Sequence, residues 1–118
     1  MSSLAKSNKN SAKNLKIKVA KISVSKIENS CEQVSQLLRA LSHPQRLMIL
    51  GHLIKGRKTV SELQELCVIS QSQLSQFLIR MKNEDLLSCE REGKYQFYSI
   101  ADQRVIQLIS ALQDLFCR

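Results

Sequence analysis

A mainly helical fold carrying one small β-hairpin is what this sequence predicts, and three observations lead there. Only three Gly and one Pro occur in 118 residues, so few positions interrupt a helix. Apolar residues recur at steps of three and four from Val24 onward, with helix-capping signatures following in quick succession. Only residues 86–100 change to aromatic and aliphatic runs split by a glycine, the pattern of two paired strands. The length fits one small domain and excludes two. A 43% apolar content suffices for a core. A chain this short buries only about two-thirds of its unfolded surface, so a dimer interface would add useful burial.

The first 22 residues stand apart. Lys6, Lys9, Lys13, Lys16, Lys18, Lys21 and Lys26 face only Glu28 in the first 30 positions, so six of the eight net positive charges sit there. Ser, Asn and Lys crowd the first 14 positions, leaving too few apolar residues to offset the entropy of ordering. Residues 1–22 therefore read as a flexible basic N-terminal arm, and 23–118 as the folded domain. Lysines interrupt every apolar stretch of the arm, so no secretory signal is expected and the chain is placed in the cytoplasm. No uncharged run reaches the 18 or so apolar residues of a membrane span. A sequence pI near 9.6 favours a polyanionic partner.

Within the domain the elements follow in order. Val24, Ile27, Cys31, Val34, Leu38 and Leu41 make one face of a first helix. Ser42, His43, Pro44 and Gln45 stop it and start another: Ser42 is placed to cap, Gln45 to complete a capping box, and Pro44 to occupy the first turn. That second helix runs through Leu47, Ile49, Leu50, Leu53 and Ile54 to Gly56. Thr59 with Glu62 opens a short third helix holding Leu63 and Leu66. Ser70 with Gln73 opens a fourth, whose buried stripe is Leu74, Phe77, Leu78 and Met81. Two short helices joined around Val68 and Ile69 form a helix-turn-helix. Residues 86–91 and 95–100 then read as strands joined by Glu92, Gly93 and Lys94, which makes a winged helix-turn-helix of about five helices plus the wing. Asp102 caps a last helix with Val105, Leu108, Ile109, Leu112, Leu115 and Phe116 on one face. The first and last helices offer more apolar face than so small a core can hide, so they are expected to form a homodimer with a second copy.

The fourth helix points to double-stranded DNA. Opposite its apolar stripe lie Ser72, Gln76 and Arg80, flanked by Gln71, Gln73 and Ser75, with Ser70 at its start. Gln pairs bidentately with adenine in a major groove, Ser serves either polarity, and a helix N-terminus suits a phosphate. Arg91 and Lys94 at the wing tip are placed to reach flanking phosphates or a minor groove, while Glu90 and Glu92 oppose that attraction. The five aromatic residues are not interleaved with basic ones, which disfavours stacking on single strands. A winged helix serving protein contacts alone is the alternative.

Four stretches in order, ALSHPQRLMIL at 40–50, VSEL at 60–63, SQSQLSQFL at 70–78, and REGK at 91–94 with FYSI at 97–100, resemble the ArsR/SmtB family of bacterial winged-helix repressors. The resemblance covers roughly residues 30–118. It implies a homodimer built on the first and last helices, an imperfect palindromic operator, and an inducer that lowers DNA affinity, in either a repressor or an anti-repressor. The family's metal sites do not carry over. Its thiolate positions hold Thr59 and Ser61, and its last-helix site is left with Asp102, Arg104, Leu115 and Arg118, too few donors for zinc. No cofactor or metal is therefore expected. His43 and His52 read as structural or exposed residues.

The closing Leu115, Phe116 and Cys117 resemble the BigR, SqrR and HlyU subgroup, whose members sense reactive sulfur and oxidants. That subgroup pairs the cysteine with another on the second helix, where this chain has Gly51. Three outcomes stay open: sensing is lost, Cys117 acts alone, or Cys31 on the first helix replaces the missing partner. An enzyme is not expected, because no Cys has a His base within reach of either His motif and no Gly-rich phosphate loop occurs.

Overall fold

The structure, a computed structural model, describes residues 8–117, with side chains described from Ser11 onward. Six helices and a three-stranded antiparallel sheet stand among the described residues. In chain order they are α1 (Asn8–Lys21), α2 (Val24–Leu41), α3 (Pro44–Leu53), β1 (Lys58–Thr59), α4 (Val60–Leu66), α5 (Gln71–Asn83), β2 (Leu87–Glu92), β3 (Tyr95–Ile100) and α6 (Gln103–Phe116). The winged helix-turn-helix is thus present, with one helix more than the sequence suggested.

The additional helix is α1, and it corrects the picture of an arm without regular structure over Asn8–Lys21. Its Ala, Leu and Lys residues are good helix formers, and no Gly or Pro precedes Pro44. Residues 11–22 are all exposed, so the helix rests on local preference and not on packing of its own side chains. Ser23 then opens α2, its hydroxyl accepting from the Lys26 amide at 3.4 Å. The chain divides into two compact units inside α2, between Val34 and Ser35, twelve residues beyond the boundary read from composition.

In the second unit the core is drawn from every helix and from β2 and β3. Ala40 and Leu41 of α2, Ile49, Leu50 and Leu53 of α3, Leu63 of α4, Leu74, Leu78 and Met81 of α5, Tyr98 of β3 and Val105 of α6 are buried together with Leu86 and Leu87. The periodicity of α5 explains the outcome: Leu74, Leu78 and Met81 fall on one face and are wholly inaccessible, with Phe77 beside them half-buried.

The caps were legible in part. Thr59 and Glu62 form the full capping box, the Thr59 hydroxyl accepting from the Glu62 amide at 3.2 Å and the Glu62 carboxylate accepting from the Thr59 amide at 3.0 Å. Those hydrogen bonds hold the Glu62 carboxyl below its ordinary range, the Thr59 backbone amide contributing most. Ser70 caps α5 and Asp102 caps α6. Ser42 does not cap α3. Its hydroxyl turns back to donate to the Arg39 carbonyl at 2.7 Å, and His43 takes the capping place with Nδ1 accepting from the Gln45 amide at 3.1 Å.

The sheet has the order β1-β3-β2, so the predicted hairpin is joined by a two-residue strand that periodicity could not reveal. In the hairpin, Leu87 faces Ile100 and Glu92 faces Tyr95. The connection is therefore the two-residue turn Gly93-Lys94, and Gly93 at φ +61° takes the left-handed conformation that this turn requires. Leu86 lies outside β2 as a buried residue of the preceding turn, a one-residue correction to the expected strand.

Gly51 sits exposed in α3, and a methyl group added there meets nothing within 4 Å. Packing within the chain does not require a bare backbone at this position. Among the described residues no helix is long and apolar enough to cross a membrane.

Candidate nucleic-acid interface

Two short helices and a wing build the candidate surface. From α4 the chain turns through Cys67, Val68 and Ile69 into α5, closed by the Cys67 amide donating to the Leu63 carbonyl at 2.9 Å. The Gln64 side chain donates to the Ile69 carbonyl, tying α4 to the turn. The Ser70 hydroxyl accepts from the Gln73 amide at 3.2 Å and fixes where α5 begins.

Burial of Leu74, Leu78 and Met81 decides what α5 presents outward. Gln71, Ser72, Gln73, Gln76 and Arg80 are all exposed, as is Ser70 before them, and Ser75 is half-buried at the edge of that face. The structure therefore brings the predicted residues onto one accessible helix. It adds Ile79 and Asn83, which join Gln76, Phe77 and Arg80 along a shallow groove of about 320 Å³. Ile79 escaped notice because an apolar residue beside a core stripe reads as core, yet it is 54% exposed.

The C-terminal end of α5 is firmly held. Asp85, at φ +62°, takes the left-handed conformation; its amide donates to the Lys82 carbonyl at 3.0 Å and the Leu86 amide to the Met81 carbonyl at 2.9 Å. This is a Schellman closure, with Leu86 and Met81 both buried beneath it. Arg46 of α3, almost wholly buried, donates through Nη2 to the Glu84 carboxylate at 2.8 Å. His43 packs against Phe77 with ring centroids 4.9 Å apart and planes tilted by 52°, so one of the two histidines serves as both cap and packing surface.

On the wing, Arg91 and Lys94 are exposed, as expected. The Arg91 Nε donates to the Gly93 carbonyl at 3.2 Å, and the Lys94 ammonium stands 5.4 Å from the centre of the Tyr95 ring. Arg91 and Lys94 border a groove of about 320 Å³ whose other walls include Ser61 and Thr59 at the start of α4 and Gln96 of β3. Sequence reasoning did not single out Ser61 as a contact. Arg57, which precedes β1, crosses to the wing and meets Glu92 through both guanidinium nitrogens at 2.9 Å, with Glu90 3.7 Å away. This fork raises the Arg57 pKa, and in return holds the Glu92 carboxyl below its ordinary range.

All four cysteines are free thiols. Cys31 and Cys117 are exposed, whereas Cys67 and Cys89 are half-buried. Burial pushes the Cys67 thiol up, away from the reactive thiolate.

Residues 43–88, from the cap of α3 to the first residues of β2, match the arsR family of bacterial regulatory proteins. The biofilm growth-associated repressor of Xylella fastidiosa is 35% identical over 91 residues, which span 77% of this chain and 80% of that protein. This chain belongs to the arsR family. As an arsR-family protein it also resembles solved structures across most of its length. The crystal structure of the transcriptional repressor BigR from Xylella fastidiosa superposes with a TM-score of 0.79 at 33% identity, covering 82% of this chain and 99% of that one. The solution structure of a homodimeric winged helix-turn-helix DNA-binding domain from Mycobacterium bovis gives 0.66 at 29% identity, covering 81% and 88%. The matched span of this arsR-family chain contains α4, the turn and α5 whole.

Proposed function

We propose that this arsR-family regulator acts as a homodimer that reads an imperfect palindromic operator in double-stranded DNA through α5. The observation that carries this reading is the exposed face of Ser72, Gln76 and Arg80, rich in amide and hydroxyl groups, on a helix capped at Ser70 and anchored at Glu84. Such a face reads base edges, whereas a wholly basic one would grip phosphates regardless of sequence. Two copies would set their α5 helices into successive major grooves about 34 Å apart. Support for pairing comes from apolar residues that the second unit leaves exposed on its first and last helices, Leu38 at 53%, Leu115 at 72% and Phe116 at 80%. The homodimeric neighbour from Mycobacterium bovis agrees with it. Mobility-shift titrations with promoter fragments from the protein's own locus test the proposal; equal, weak affinity for every duplex defeats it.

The basic segment supplies attraction without selection in this scheme. Removing residues 1–22 deletes six lysines and no acidic residue. Binding to all duplexes weakens together, and the salt dependence of log K flattens by about 0.9 for each phosphate that is no longer neutralised. Titrations at several salt concentrations check this, and a loss confined to the preferred duplex would make the segment a reader.

Control by thiol chemistry would act at Cys117 and Cys31, the two exposed thiols. After treatment with polysulfide or peroxide, intact-protein mass shifts concentrate on these two and disappear in the corresponding Ala variants. Shifts that persist in a Cys31→Ala/Cys117→Ala double variant would move the site to Cys67 or Cys89.

A further inference from the structure

The wing bears two opposing faces, and Arg57 sits on the one that carries Phe97 and Glu92. Cross-strand partners share a face, so Glu90 with Phe97 and Glu92 with Tyr95 stand on one side of the hairpin. Cys89 with Tyr98 and Arg91 with Gln96 stand on the other. Tyr98 is buried, so this second side is the core face near the base; farther out, Arg91 and Gln96 line the groove shared with Ser61, which Thr59 and Tyr95 of the first side also border.

A two-stranded ribbon reaching out from a small sheet is held weakly by its own pairing. Arg57 supplies what the ribbon lacks. Its guanidinium lies 4.0 Å from the centre of the Phe97 ring and continues past it to the bidentate contact with Glu92. One residue outside the hairpin thus grips both wing strands. The same contact settles the charge. Glu90 and Glu92 alone would cancel Arg91 and Lys94, and Arg57 returns the wing to a net positive charge.

We propose that Arg57 is a positioning residue for DNA binding: by clamping Glu92 across Phe97 it fixes the wing so that Arg91 and Lys94 meet a backbone phosphate in the groove beside Ser61. This rests on the DNA-binding reading above and deepens it. The fork can form with free protein, so the tether is present before DNA arrives. The phosphodiester then meets cations already in place, and less order has to be imposed on binding.

Glu92→Gln separates this from simple charge effects because the two predict opposite signs. Removing a carboxylate near DNA strengthens binding if only net charge counts. Losing the tether weakens it, by about three- to tenfold, the range expected for an exposed fork plus its ring contact. The probe is a mixed-sequence duplex of about three helical turns, because phosphate contacts need no operator. Hydrogen exchange of residues 90–96 in free Glu92→Gln and Arg57→Gln proteins supplies a second measurement, independent of DNA. Faster exchange confined to the hairpin in both variants, together with weaker duplex binding by Glu92→Gln, supports the proposal. Unchanged hairpin exchange, or equal or tighter binding by Glu92→Gln, overturns it. If the wild-type protein fails to prefer any duplex, sequence-specific regulation falls while hairpin exchange still decides the tether.

Discussion

Gln76→Ala lowers affinity for the preferred duplex by about 5- to 150-fold, the loss expected when a bidentate base contact worth about 1–3 kcal/mol is removed. Affinity for unrelated duplexes stays within a factor of about two, because Gln carries no charge for phosphates to attract. Fluorescence anisotropy with a selected duplex and a scrambled one reads both numbers. Arg80→Ala on the same face should behave differently: it weakens both duplexes and reduces the salt slope by about one where it meets a phosphate. Both side chains are exposed, so neither change disturbs the packing of Leu74, Leu78 and Met81 behind them. Parallel losses on the two duplexes for Gln76→Ala would remove it from base reading. Unaltered regulation in a protein with Gln71, Ser72, Gln76 and Arg80 all changed to Ala would favour a wing and helix surface used for protein contacts.

A larger loss is expected from Leu38→Glu combined with Phe116→Glu. Both residues belong to the second unit, lie on its first and last helices, and stand 53% and 80% exposed without a second copy. A carboxylate on each would have to be buried unpaired in the dimer, at a cost of several kcal/mol per pair of faces. Light scattering should then report a monomer. Operator affinity should fall by about 10²-fold or more, because the second half-site is no longer delivered by a tethered partner. The isolated chain keeps its core, since neither residue belongs to the buried cluster. A protein that remains dimeric with both substitutions would place the interface elsewhere.

Much of this architecture could be read from sequence because its signals are local. Thr59 and Glu62 lie three residues apart and cap each other whatever the rest of the chain does. The stripe on α5 and the turn at Gly93 are equally self-contained. What escaped depends on distant partners. A strand of two residues has no periodicity, and Lys58 and Thr59 are a strand only because Tyr98 and Phe97 lie opposite. No local signal marks Arg57, which the fold brings to Glu92 across 35 positions. Ser42 and His43 competed for one cap, and composition favours serine. The backbone settled it otherwise, turning the serine toward the preceding helix and leaving the imidazole to accept. The candidate site followed the same rule. Residues on α5 were found from their own helix, whereas Ser61 and the exposed Ile79 emerged only from neighbouring surfaces.

The grip on the C-terminal end of α5 has a mechanical consequence. Glu84 is pinned by Arg46, and the chain beyond it is locked by the Asp85 turn over Leu86 and Met81, whereas Gln71, Ser72 and Gln73 at the opposite end stand exposed. The two ends are thus held differently: the C-terminal one by an ion pair and a locked turn, the N-terminal one by Leu74 in the core and the Gln64 contact with Ile69. Thirteen residues make a lever of about 20 Å. If the N-terminal end were tilted by about 10°, its tip would shift by roughly 3.4 Å, the rise of one base step along a strand. Small changes in how either end is held are therefore of the same size as the spacing of the bases the helix would face.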